Sequence, residues 1–107
     1  MTEKYLKDIK FLQMEIERCE RILKDLRHWQ GTEKYASVLR ETKSCLIEKK
    51  AVAEDLINGI MDDEIRLIFK MKFIDLRSWN YIANKLHYDR TTVYKKYKKY
   101  IKELNNE

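Results

Sequence analysis

Apolar side chains between residues 2 and 30 recur at Tyr5, Ile9, Leu12, Ile16, Cys19, Leu23 and Leu26, in steps that alternate four and three. That alternation is the seam of a coiled-coil-like helix. Leu6, Phe11, Ile22 and Trp29 widen the stripe and predict more than one neighbour. Gly31 suits the left-handed position that closes a helix, and Thr32 can cap the next one. Residues 33–58 repeat the pattern at Tyr35, Val38, Thr42, Cys45, Val52 and Leu56, flanked by Leu39, Leu46, Ala53 and Ile57, with Gly59 behind them. Two helices of about 40 Å each, joined by a short loop, predict an antiparallel hairpin. A lone hairpin cannot bury seams this wide, so the pattern predicts a homodimer through the hairpin, with pairing through the C-terminal segment as the alternative.

The pattern then shortens. Asp62, Asp63 and Glu64 favour a helix start through capping and the macrodipole. Ile65, Ile68 and Phe69 form one stripe of the helix that follows, and Leu67, Met71 and Ile74 another, as expected for a helix sandwiched between neighbours. Ser78 can cap a helix whose apolar face is Ile82, Ala83 and Leu86. Asp89 can cap a second, with Val93, Tyr97, Tyr100 and Leu104 on one face and Ile101 beside them. His87 and Tyr88 occupy the turn between. A small residue on the first helix, a tight turn and a β-branched residue on the second make a helix-turn-helix pattern. The expected fold is all-α: a long antiparallel helical hairpin over residues 1–60, followed by a C-terminal three-helix helix-turn-helix module over 61–107, ending in a frayed tail at 105–107.

Composition agrees with helix throughout, since the 107 residues include no proline and only two glycines. No run approaches the roughly 18 apolar residues of a membrane span, and the first residues do not resemble a signal peptide, so a cytoplasmic setting without membrane contact is expected. Cys19 and Cys45 lack metal-site spacing and fall at similar heights on facing seams, where they read as packed thiols. His28 and His87 are isolated from carboxylates and cysteines. With no phosphate loop, nucleophile–base pair or ligand cluster, the chain is expected to hold no metal or cofactor and not to be an enzyme.

Charge changes the picture. Residues 1–60 carry twelve Lys and Arg against eleven Asp and Glu, whereas 61–107 carry eleven against seven. Between positions 90 and 102 the six charged residues, Arg90, Lys95, Lys96, Lys98, Lys99 and Lys102, are all basic. A cluster of this kind is the footprint of a polyanion. In a helix-turn-helix the start of the second helix meets base edges in the major groove. Arg90 is then the candidate for a bidentate guanine contact, with Thr91, Tyr94 and Lys95 as neighbouring base-contacting candidates. Lys98, Lys99 and Lys102, further along the helix, suit phosphates, as do Arg77, Asn80, Tyr81 and Lys85 on the first helix and its approach and Thr92 through its hydroxyl. Tyr97, Tyr100 and Trp79 read as packing residues.

The start DDEIRLIFKMKF, the step SWNYIANKL and the stretch YDRTTVYKKYKKYIKEL resemble the fourth region of sigma factors, the module that reads a promoter element. That family often has glycine where this chain has His87. The full layout is similar to small phage and prophage transcriptional regulators of the ArpU and RinA type. The resemblance implies double-stranded DNA binding and control of phage genes in a bacterial cytoplasm, with RNA polymerase as one candidate partner. Two other readings fit the pattern: a DNA-packaging protein resembling a terminase small subunit, and a protein-interaction adaptor whose basic helix is incidental.

Overall fold

The computed structural model describes residues 3–105. Every regular element among them is helical: α1 (Glu3–Leu26), α2 (Glu33–Asn58), α3 (Asp63–Phe69), a π-helical turn (Lys70–Ile74), α4 (Trp79–Leu86) and α5 (Arg90–Asn105). None is long and apolar enough to cross a membrane. α1 and α2 form the antiparallel hairpin, and the remaining helices gather at its open end, giving a body of 55 × 31 × 18 Å. Of the tail expected to fray, Asn105 is helical, and the last two positions lie outside the described residues, as does Thr2 at the other end.

α1 is buried at Ile9, Ile16 and Cys19 of its expected seam and at Leu6 beside it, while Tyr5 of the seam and the flanking Phe11 and Trp29 are exposed. On α2 the inward line is one residue away from the expected one. Ala36, Leu39, Ala53 and Ile57 face inward, and Tyr35, Val38, Cys45, Val52 and Leu56 face solvent. The reason is steric: alanines at 36 and 53 let α1 approach closely, which aromatic and β-branched residues would hold off. Cys19 is therefore buried and Cys45 exposed, and both are free thiols. They do not share a seam.

The helix ends mix expected and unexpected devices. Asp62 caps α3 by accepting from Ile65 N–H at 3.0 Å, and Ser78 caps α4 by accepting from Tyr81 N–H at 3.1 Å. Thr32 precedes α2 but leaves its amides alone; its hydroxyl turns back onto the carbonyls of Leu26, which also accepts from Trp29 N–H, and of Trp29 in the loop. α1 ends at Leu26, earlier than the pattern predicts, and Gly31 takes its left-handed conformation (φ 76°) inside the loop. Gly59 closes α2 with φ −81°, so it uses none of glycine's special freedom. An added Cβ there meets only carbonyl oxygens at ordinary contact distance, 3.5 and 3.6 Å. Gly59→Ala is expected to stabilise the fold by about 0.4–1 kcal/mol through the unfolded chain's lost freedom, read as a raised urea midpoint at unchanged slope.

One core spans hairpin and module. Leu6 and Ile9 of α1 and Ala53, Ile57 and Ile60 at the end of α2 pack in the same cluster as Ile68, Phe69, Phe73, Ile82, Val93 and Tyr97. The boundary near residue 60 therefore marks a change of role, not a break in packing. Met71 and Phe73, carried on the π-helical turn, are buried, whereas Leu67, expected on an inner stripe, is exposed. The turn ends with Leu76 in the left-handed region (φ 57°) and Arg77 N–H bonded to the Met71 carbonyl at 2.9 Å.

Candidate nucleic-acid interface

α4 and α5 meet through Ile82, Ala83 and Val93, all buried, so the small Ala83 sits where the two helices pack. His87 holds the turn in the left-handed conformation (φ 60°, ψ 40°), with Tyr88 N–H bonded to the Ala83 carbonyl at 2.9 Å. The position is filled by a residue type that tolerates positive φ better than most. The neighbouring Tyr88 secures the turn. Its hydroxyl donates to Glu64 at 2.8 Å, and Glu64 also pairs with Lys96 at 3.0 Å, tying turn, α3 and α5 together. Asp89 starts α5 through its backbone carbonyl, which accepts from Val93 N–H at 3.1 Å.

Inward, α5 offers Val93, Tyr97 and Ile101, with Tyr100 and Leu104 half-buried. The Tyr97 hydroxyl is buried without a hydrogen bond at ordinary distance, and its pKa is pushed up by burial first and then by the Glu3 carboxylate. Outward, Arg90, Thr91 and Lys95 are exposed at the start of the helix and Lys99 and Lys102 further along. Arg90, Thr91 and Tyr94 share a shallow cleft with Trp79, whose ring takes the edge of Tyr94 at 5.5 Å between centroids. Tyr94 is thus held in place while keeping one side open to solvent. Thr92 is half-buried on the flank of α5. Arg77, ahead of α4, and Lys85 on it bracket the Tyr81 ring at 4.8 and 5.6 Å, and Asn80 is exposed beside them.

Two lysines of the basic cluster are already engaged. Lys96 is on Glu64, and Lys98 holds Glu3 of α1 through both carboxylate oxygens, at 3.1 and 3.2 Å. Burial raises the Glu3 pKa, but Lys98, the nearby Tyr97 hydroxyl and Lys7 together outweigh it and hold the carboxyl below the ordinary value. Glu64 is likewise held low, by its bonds to Lys96 and Tyr88. A carboxyl depressed in the folded state adds stability that is complete above the ordinary value of 4.5 and is lost as pH falls through the folded value. Melting temperature is therefore expected to fall as the buffer is taken below about pH 4.5, and to fall less steeply in Glu64→Gln.

Three further cations join the surface from places the sequence pattern does not connect. Lys7 and Lys10 of α1, with Lys72 and Arg77, rim a shallow pocket floored by Leu6, Phe11, Phe73 and Leu76. Lys72 lies 4.7 Å over the Trp79 ring, and its ammonium is drawn below the usual lysine range by burial, then by Lys10 and Arg90. Positive potential thus extends from the first turn of α5 across Trp79 to α1. Nothing in residues 61–107 hints at α1 cations, because the contact exists only after the hairpin root has packed.

Among the described residues, no group of three or more His, Cys, Asp or Glu side chains could hold a metal ion. No curated protein and no solved structure matches the chain. One family does: residues 33–105, from the start of α2 to the end of α5, match the family described as "Protein of unknown function (DUF1492)". With most of its length inside that match, the chain belongs to the DUF1492 family.

Proposed function

We propose that the chain is a sequence-specific, double-stranded-DNA-binding transcriptional regulator, encoded by a phage or prophage and acting as a dimer in the bacterial cytoplasm. The observation that carries the reading is the first turn of α5: Arg90, Thr91 and Lys95 stand exposed on a helix whose turn is fixed by Tyr88, Glu64 and Lys96. Preorganised side chains at that point of a helix-turn-helix are placed to read base edges. Lys99 and Lys102, with Arg77 just before α4 and Lys85 on it, then supply phosphate contacts. The crowded charge of Lys10, Lys72 and Arg90 favours the same polyanion, because phosphate relieves the mutual repulsion of the cations.

Selection of bound sequences from a random DNA pool tests the reading. Two half-sites related by symmetry are the expected product; a pool that stays random, with no salt-sensitive retention at low ionic strength, overturns it. Glu3 refines the test. Glu3→Gln removes the carboxylate that occupies Lys98 and is expected to tighten DNA binding several-fold while steepening the salt dependence by about one counterion. Anisotropy titrations at several salt concentrations read both effects.

A further inference from the structure

Two apolar lines run side by side along α2, one residue apart. The inner line packs on α1 and the core. The outer line, Tyr35, Val38, Thr42, Cys45, Lys49, Val52 and Leu56, keeps alternating steps of three and four throughout and spans about 32 Å at 1.5 Å per residue. It lies open, with Tyr35 51%, Val38 53%, Val52 53% and Leu56 41% exposed, and Cys45 exposed at its middle. Tyr5 and Leu12 of α1 flank it beside Lys49. A seam of that period fits another helix of the same period better than any flat surface.

The charges say which helix. Turned end for end about Cys45, the middle of the line meets itself: Val38 falls on Val52, Glu41 on Lys49 and Cys45 on Cys45, while Tyr35 falls on Asp55 and Lys34 on Leu56 at the ends. Lys34, Glu41, Lys49 and Asp55 are exposed, and none is in an ion pair among the described residues. In a parallel pairing Glu41, Glu48 and Lys49 would each meet their own like charge. We propose that the outer line of α2 is closed by α2 of a second copy, running antiparallel with the two-fold axis at Cys45, so that one helix-turn-helix stands at each end. This names the surface of the dimer in the proposed function and depends on that dimer, but not on DNA binding.

The test uses the full chain without DNA, measuring mass by light scattering and trapping neighbours with a short bis-maleimide. A dimer mass is expected, with a covalent dimer on a denaturing gel that Cys45→Ser abolishes and the buried Cys19 does not replace. Val38→Glu changes an exposed residue, so helical content by circular dichroism should hold while dimerisation weakens at least roughly tenfold. Glu41→Lys should weaken it as well, and adding Lys49→Glu to the same chain should restore it, which only the antiparallel register allows. A dimer that neither cross-links through Cys45 nor responds to Val38→Glu overturns this surface and leaves the dimer standing elsewhere. A monomer overturns both the surface and the dimer, while the DNA reading is judged separately by the pool selection. Charge reversal without rescue overturns the antiparallel register.

Discussion

Phe69→Ala is expected to destabilise the protein by about 3–5 kcal/mol, a large part of the 5–15 kcal/mol that holds a domain of this kind. Phe69 is fully buried and meets Phe73, Tyr97 and Tyr100 edge-on at ring distances of 5.7, 5.4 and 5.3 Å. It therefore joins the π-helical turn to α5, and its loss leaves a cavity lined by rigid rings that collapse poorly. Such edge-to-face pairs add to simple burial. Leu67→Ala, two residues away on the exposed side of the same helix, is the control and should cost well under about 1 kcal/mol. Urea unfolding followed by circular dichroism reads both, and similar midpoints for the two variants would mean that the core is not centred on Phe69.

Arg90→Ala carries the largest expected effect on function. Loss of a bidentate guanine contact should cost about 1–3 kcal/mol against the best site, and nearly nothing against random DNA. The ratio of the two affinities should therefore fall by roughly five- to 150-fold, with melting temperature unchanged because the side chain is exposed. Lys99→Ala should behave in the opposite way, weakening all sequences alike and flattening the salt dependence. Lys98→Ala should do less than Lys99→Ala, since Lys98 is already neutralised by Glu3. Competitive titrations separate these patterns, and an Arg90→Ala protein that keeps its selectivity would move base reading away from the start of α5.

The devices that could be read from the chain are those decided by neighbours in sequence. Asp62 and Ser78 cap because each oxygen lies within reach of an amide three residues on. The inward face of α5 follows from its own spacing, and so does the exposure of Arg90, Thr91 and Lys95. What stayed hidden was decided by contacts across the chain. α2 carries two lines that both look like a seam, and only the close approach of α1 selects the one with alanines. The engagement of Lys98 depends on a glutamate 95 positions away. Leu76 takes a backbone conformation for which leucine carries no signal, and the π-helical turn before it carries Phe73 inward, a residue on neither expected stripe, while Met71 is buried as its stripe predicts. His87 is the intermediate case. The helix-turn-helix pattern marks the position as left-handed, and the side chain there accepts the conformation.

The hairpin root and the helix-turn-helix share one core, so a dimer of the proposed kind would hold its two modules at a fixed separation. In the proposed pairing Ile57 of one copy would stand about 36 Å along the seam from its counterpart, 24 residues at 1.5 Å each. Such a frame is a ruler and not a leash. Operators should then be sensitive to phase: about five base pairs inserted between half-sites would carry the second half to the far face of the duplex, where a stiff dimer cannot follow.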